Sequence, residues 1–461
     1  MSLQSSSIRC LRSAIAKAAP TTAAAPAVAQ LARLPGASSA SSSSASAAGA
    51  GCSRRAFSAS ALTRQAAEFD SPFGINSLSK LSDEENMIRD TVQRFAQEIV
   101  APKVEHMDEA EKMDPEIIKA LFENGFMGIE ASADQGGADM SFTSAIIVIE
   151  ELAKVDPSVS VLCDVHNTLV STVLRKYASE ELRAKYMPQL CAEKLGSFCL
   201  SEPASGSDAF AMKTTCKKSE DGKSWTLNGS KMWITNSAEA EFFIVFAQGD
   251  ASKGYKGISA FAVEKEMGVE IAKKERKLGI KASSTCTVNF DDVKVPAENL
   301  IGEEGKGYKI AIEILNEGRV GIAAQMVGLA QGAFEKSVRY AAERHQFGKP
   351  VAANQGMQFQ IAQIATEIEA ARLMTYNAAR LKEEGRPFAK EAAMAKLYSS
   401  QVAQRAAGSA IEWAGGQGFT REQGIEKYWR DSKIGAIYEG TSNIQLREIF
   451  KRETAKMGLN L

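Results

Sequence analysis

A carboxylate followed at once by glycine sits in the run Ile437-Tyr438-Glu439-Gly440-Thr441-Ser442-Asn443-Ile444-Gln445. Glycine lets another molecule approach the backbone closely, and Thr441, Ser442 and Asn443 offer hydrogen bonds beside the acid. The run therefore suits a general base. Taken alone, a carboxylate at such a place is more commonly a surface glutamate at a helix-capping turn. A second run, Phe198-Cys199-Leu200-Ser201-Glu202-Pro203-Ala204-Ser205-Gly206-Ser207-Asp208, reads as a strand ending in a Pro-, Gly- and Ser-rich loop. Its free backbone N–H groups and hydroxyls suit a polar ring edge or a phosphate oxygen. By itself it is more commonly a polar strand-to-loop connection. Metal chemistry has little support. His106, His166 and His345 are far apart, and Cys10, Cys52, Cys163, Cys191, Cys199, Cys216 and Cys286 show no CxxC pair or zinc spacing. The cysteines read as reduced thiols.

The elements that must position these runs fall into three textures. From Leu81 to about Leu195 the pattern is helical. Ser82 and Glu85 form a capping box, Asp114-Pro115 opens a further helix, and Gly125 suits its exit. Between about Ser197 and Pro296 the runs are short and rich in β-branched or aromatic residues, at Ser224–Leu227, Lys231–Thr235, Phe242–Ala247, Ile258–Val263 and Thr285–Phe290. Asn228-Gly229 predicts a hairpin between the first two, and Glu220-Asp221-Gly222-Lys223 a second turn. From Gly307 the helical period returns over Ile310–Glu343, Gln355–Glu384 and Lys390–Ala414. Phe359, Ile361, Ile364, Ala365, Ile368, Ala371 and Leu373 recur on one broad stripe, which predicts burial in a bundle. The fold class is α+β, with units over 71–195, 196–305 and 306–461.

Composition narrows the partners. An apolar share of 44% and a charged share of 24% fit a globular protein, and 55 basic against 56 acidic residues leave no bulk positive field for nucleic acid. No apolar run approaches the roughly 18 residues that span a bilayer. Asymmetry is confined to the start. No Asp or Glu precedes Glu68, whereas Arg9, Arg12, Lys17, Arg33, Arg54, Arg55 and Arg64 do, among many Ser and Ala. Residues 1–57 read as a mitochondrial transit peptide, cut after Phe57 within Arg55-Ala56-Phe57-Ser58, and place the mature chain in the matrix.

Taken together, the two chemical runs and the α, β, α order resemble the acyl-CoA dehydrogenase family. Lys231-Met232-Trp233-Ile234-Thr235-Asn236, Arg344-His345-Gln346-Phe347-Gly348, Gln355 and Glu412-Trp413-Ala414-Gly415-Gly416 match further family motifs in order. Within it, Lys281-Ala282-Ser283-Ser284-Thr285-Cys286 and Asn316-Glu317-Gly318-Arg319-Val320-Gly321-Ile322-Ala323 are most similar to the short/branched-chain branch. The resemblance implies an N-terminal helical domain, a β-barrel-like middle domain and a C-terminal four-helix bundle assembled as a homotetramer. It also implies FAD, an acyl-CoA substrate and electron-transfer flavoprotein as acceptor, with neither nucleic acid nor membrane as partner.

Residue by residue, the resemblance puts Phe198, Cys199, Leu200, Ser201, Glu202, Ser207, Trp233, Ile234 and Thr235 around the flavin ring. Arg344, Phe347, Gln355, Glu412, Trp413, Ala414, Gly415 and Gly416 would hold the rest of FAD, largely across a subunit contact, and Thr441, Ser442 and Asn443 would complete the site. Glu439 matches the catalytic base that removes the α-proton of the thioester. Its backbone N–H and a flavin hydroxyl would steady the enolate oxygen, while hydride passes from the β-carbon to flavin N5. Ser207, Tyr255, Tyr308, Asn316, Glu317, Gly318, Arg319 and Gly440 would contact the substrate. Some relatives carry the base immediately before the arginine matched by Arg319. Here that position is Gly318, with Glu317 turned about 100° around the helix, which favours Glu439. A straight short-chain dehydrogenase, an acyl-CoA oxidase, a nitroalkane oxidase with Asp at the base position, and a non-catalytic scaffold are the alternatives. The ending Gly458-Leu459-Asn460-Leu461 lacks the peroxisomal signal of the oxidases.

Overall fold

The Ser82 hydroxyl accepts the Glu85 N–H while the Glu85 carboxylate accepts the Ser82 N–H at 2.9 Å, so the capping box is formed as its spacing predicts. It starts α1 (Asp83–Phe95) in a computed structural model that describes Leu78 and residues 80–459. The expected transit peptide and processing run, and residues 71–77, lie outside the described residues. The helical unit continues through α2 (Val104–Ala110), α3 (Pro115–Glu123), α4 (Phe142–Val155), α5 (Pro157–Asp164), α6 (Thr172–Tyr177) and α7 (Glu180–Ala192). Asp114 caps α3 by accepting the Glu116 N–H at 2.8 Å, with Pro115 in the first turn where its missing donor costs nothing. Between α5 and α6 the chain is π-helical over Val165–Ser171 and fully buried.

The central strands are β1 (Gly196–Cys199), β2 (Thr215–Lys218), β3 (Ser224–Thr235), β4 (Phe242–Gln248), β5 (Ile258–Glu264), β6 (Glu270–Lys274), β7 (Thr285–Pro296) and β8 (Leu300–Ile301). They form one sheet in the order β6-β7-β3-β2-β4-β5-β8, with β1 pairing in parallel to β4. The expected barrel-like form is not closed. One edge of β4 is divided between β1, opposite Phe242–Val245, and β2, opposite Gln248, and the outer strands β6 and β8 do not pair. The expected Asn228-Gly229 hairpin is corrected, because β3 runs straight through it, opposite a bulge in β7 at Asp291–Asp292. Both halves of β3 pair with β7, and the Asn228 side chain exchanges hydrogen bonds with Asp292 at 2.9 and 3.0 Å. Chain reversal occurs instead at the second expected turn, with Lys218 opposite Trp225 and Gly222 at φ 70°.

The third unit comprises α8 (Gly307–Glu343), a small hairpin of β9 (His345–Gln346) and β10 (Lys349–Pro350), α9 (Gln355–Glu383), α10 (Ala389–Ala414), α11 (Gly416–Phe419), α12 (Ile425–Ser432) and α13 (Ser442–Lys456). Of the expected α9 stripe, Ile364, Ile368 and Ala371 are buried, whereas Phe359 is 64% exposed and Ala365 is also exposed. The buried face is narrower than the run of apolar residues suggests. One apolar cluster joins the units by gathering Leu169, Phe198, Leu200, Met212, Ile314 and Ile322, with Tyr438 packed against it.

Candidate functional site

Glu439 lies in the link between α12 and α13, at φ 49°, with Gly440 following at φ 84°. Two successive left-handed residues turn the chain so that the acid leaves the loop towards α8, and a non-glycine residue there costs about 1–3 kcal/mol. The turn is held by its own carbonyls. Gln445 donates to the Glu439 and Gly440 oxygens at 3.0 and 2.9 Å, and the Lys396 ammonium donates to the Gly440 oxygen at 2.7 Å. Thr441 caps α13 by accepting the Ile444 N–H. Among the described residues the Glu439 N–H has no backbone acceptor.

The Glu439 Oε2 atom is shut off from solvent and has no hydrogen-bond partner among the described residues. A Cβ added at Gly318 would meet that oxygen at 2.9 Å and Leu169 Cδ2 at 2.9 Å, so only glycine leaves the carboxylate its place against α8. One turn along the same face, a side chain at Gly321 would overlap the Asp164 carboxylate. Two acids thus lie in a groove made by two glycines. Burial pushes the Glu439 carboxyl up to about 7, opposed by the positive charges of Lys396 and Arg319. Burial also drives Asp164 well above the ordinary carboxylate range, against the Thr168 hydroxyl that it accepts at 2.8 Å and with the Glu439 charge adding to the rise. Lys396 is fully buried and pushed down to about 7 by burial, against the pull of Glu439. The Tyr438 hydroxyl bonds Gln325, whose amide nitrogen donates to the Pro157 carbonyl at 2.7 Å.

The structure therefore gathers Glu439, Gly440, Gly318 and Arg319 in one place. Arg319 donates to the Asn316 side chain at 2.8 Å. Glu317 is not part of this group, since its carboxylate is engaged by Lys176 and by Lys382 at 3.4 Å. Tyr308 lies ten residues before Gly318 on α8, about 15 Å along the axis. Its ring meets Tyr255 edge-on at 4.8 Å between centroids. Lys396, Asp164, Leu169 and Gln325 escape sequence reading, being single residues in helical segments with no motif around them. Gln445 stands within the quoted acid-bearing run but without an assigned role.

On the sheet, Phe198, Cys199 and Leu200 are buried, and Glu202 is consumed in holding its loop. Its oxygens accept the buried Lys231 ammonium at 2.8 Å and the Lys213 and Thr214 N–H groups at 2.6 and 3.0 Å. Ser207 is exposed, and beside it a side chain on Gly206 would meet open space. Trp233 sits in a bulge of β3 at φ 65° and is 55% exposed beside the buried Ile234, with Thr235 partly covered. A large aromatic face held out on strained backbone suits a flat ring system. At one end of the bundle, Arg344, Phe347, Gln355, Glu412, Gly415 and Gly416 are exposed, while Trp413 and Ala414 are buried and Trp413 donates to the Gln360 side chain at 2.9 Å. Ser442 is half-buried and Asn443 exposed at the start of α13.

Three family models match in series: the N-terminal domain of acyl-CoA dehydrogenase over residues 82–194, the middle domain over 197–293 and the C-terminal domain over 305–454. The chain is 53% identical over 380 residues to the short/branched chain specific acyl-CoA dehydrogenase of Rattus norvegicus, covering 82% of this chain and 88% of that one. It is 55% identical over 378 residues to a probable enzyme of the same description from Dictyostelium discoideum, covering 82% and 91%. Among solved structures it is similar to butyryl-CoA dehydrogenase from Megasphaera elsdenii, at TM-score 0.80 and 39% identity over 82% of this chain and 100% of that one. It is also similar to an acyl-CoA dehydrogenase from Bacillus anthracis complexed with FAD, at TM-score 0.78 and 33% identity over 84% and 69%.

Proposed function

The chain belongs to the acyl-CoA dehydrogenase family, and on that premise we propose that it desaturates a short or short-branched acyl-CoA to the 2-enoyl-CoA, with Glu439 taking the α-proton. It is an oxidoreductase acting on a CH–CH bond with FAD as cofactor. The single observation that carries the assignment of the base is the buried, unpartnered Glu439 Oε2 set against Gly318.

The residues present fit the cofactor, since the exposed Trp233 on its strained bulge offers a face to a flat ring and the open space at Gly206, Gly415 and Gly416 leaves room for the rest of a dinucleotide. Phe198–Ser201, Ser207 and Trp233–Thr235 would hold its ring, and Arg344, Phe347, Gln355, Glu412–Gly416 and Thr441–Asn443 the remainder. When bound, FAD supplies the hydride acceptor that no side chain can provide. The chain's own share is the proton. An α-proton is a weak acid, so a carboxylate removes it efficiently only when its own affinity for protons is raised, which burial accomplishes here. The Glu439 N–H, without a backbone acceptor among the described residues, would donate to the enolate oxygen as charge develops on it. Tyr255, Tyr308, Asn316 and Arg319 would hold the thioester's carrier along α8.

Residues 71–195, 196–305 and 306–461 would form the three units, and residues 1–57 a transit peptide that delivers the enzyme to the mitochondrial matrix. A homotetramer would be the working assembly and electron-transfer flavoprotein the acceptor. Named mitochondrial relatives and the basic, acid-free start support this reading. The test is anaerobic flavin bleaching by 2-methylbutyryl-, isobutyryl- and butyryl-CoA. We expect the branched thioesters to bleach the wild type fastest and Glu439→Gln to slow bleaching by about 10²-fold or more. An undiminished rate in that variant sinks the assignment.

A further inference from the structure

We propose that Lys396 is a positioning residue for proton abstraction: anchored on the Gly440 carbonyl, its ammonium holds the Glu439–Gly440 turn and supplies the positive field that keeps the base ionised. The inference rests on Glu439 being the base. Lys396 is completely buried in α10, yet among the described residues its three donors have one protein acceptor, the Gly440 oxygen at 2.7 Å. A lysine stem could be accommodated in a core without sending its charge to a strained turn. Here the same face of α10 holds the loop twice, because Ser400, four residues on, donates to the Gly435 oxygen at 2.8 Å. The two anchored carbonyls flank Glu439 on either side.

The charges around the base come from three other elements. Lys396 faces it from α10, Arg319 from α8 and Asp164 from α5, while Glu448 and Arg452 of α13 act on Arg319. Arg319 is already committed to Asn316, and its Nε is buried without a partner. Burial drives the Asp164 carboxyl well above the ordinary carboxylate range, and as an acid it offers Glu439 no positive charge. Lys396 is therefore the cation whose removal most directly lets Glu439 take up a proton. Burial pushes Lys396 down while Glu439 pushes it up, and the same pair acts in reverse on the acid, so the two groups stabilise each other's charged forms.

The experiment is stopped-flow flavin reduction by 2-methylbutyryl-CoA from pH 6 to pH 9 with FAD-loaded wild type, Lys396→Met, Lys396→Arg and Glu439→Gln. Loss of the cation should move the acidic limb of the Lys396→Met profile upward by about one pH unit, a rate deficit of about tenfold near pH 6.5 that closes towards pH 9. Lys396→Arg should keep the wild-type limb. A Met variant that is slower by the same factor at every pH, or that keeps the wild-type limb, overturns the proposal. If Lys396→Met does not retain FAD, Lys396→Gln gives the same readout. Failure of Glu439→Gln to slow reduction refutes the base assignment instead, and an unmoved Lys396 profile beside an inactive Glu439→Gln refutes only the present inference.

Discussion

Two glycines in α8 do more to define the base than any polar neighbour. Gly318 leaves the Glu439 carboxylate space and Gly321 leaves space for Asp164, so a single methyl group at residue 318 is a sensitive probe. Its Cβ would stand 2.9 Å from both the Glu439 oxygen and Leu169, closer than real Cβ contacts, and the flexible carboxylate is the partner that yields. Gly318→Ala should therefore retain FAD and its absorbance while the first-turnover rate falls by about 10- to 100-fold, since small misplacements of a reacting group cost that much. The acid's raised proton affinity gives the pH dependence its sign. The ionised form is the base, so flavin reduction should rise with pH through about 7 and level off above it, and a flat profile across neutrality contradicts the reading. The same shift means that Glu439 favours the folded state fully below about 4.5 and that this contribution is lost as pH rises through about 7. At this scale Glu439 is legible in the sequence because its glycine and hydroxyl neighbours travel with it. Lys396 is not, because it stands in an alanine-rich helix 43 residues upstream, and only folding brings it to the turn.

The element that delivers this turn is α12, which is fastened to both other units by buried charge. Lys427 lies 2.7 Å from Asp431 and 3.3 Å from Asp156 at the start of α5, and Asp431 also accepts the Ile280 N–H ahead of β7 at 2.5 Å. Arg430 adds a pair to Asp108 of α2 at 2.7 Å. Burial alone would depress the Lys427 ammonium, yet Asp156 and Asp431 hold it above the ordinary lysine range. Removing one partner of such a cluster leaves an uncompensated buried charge. Asp431→Asn should lower unfolding free energy by about 3–5 kcal/mol in denaturant titrations. A loss within about 0.5 kcal/mol, as for a surface substitution, would show that the cluster carries no such strain. Element boundaries were legible where capping chemistry is local, as at Ser82–Glu85 and Asp114–Pro115. Asn228-Gly229 misled because its signal is also local, whereas a long β7 opposite both halves of β3 decides the outcome.

For the whole molecule, the informative surface is the bundle end where α8 stops and α9 begins. Phe347 is 100% exposed, Phe419 81% and Phe359 64%, beside exposed Arg344 and Gly415-Gly416. Trp413, bonded to Gln360, ties the end of α10 to the start of α9, so these aromatic residues belong to one end of the bundle rather than to scattered sites. Aromatic side chains left in water at one place mark a surface that another molecule covers. The breadth of the α9 stripe has the same origin: Phe359 lies outside the single-chain core, and sequence periodicity alone cannot distinguish burial within a chain from burial between chains. In the proposed tetramer, another copy would cover this surface and the part of FAD beyond its ring would lie within the contact. Phe347→Ser combined with Phe419→Ser should then shift sedimentation of the purified protein towards smaller species and release FAD on dilution, while a tetramer of undiminished stability with tightly held FAD would place the contact elsewhere. Because the Glu439 turn is held by Lys396 and Gln445 and by neither substituted residue, variant molecules that still retain FAD should keep the wild-type pH dependence of flavin reduction, which separates lost assembly from lost chemistry.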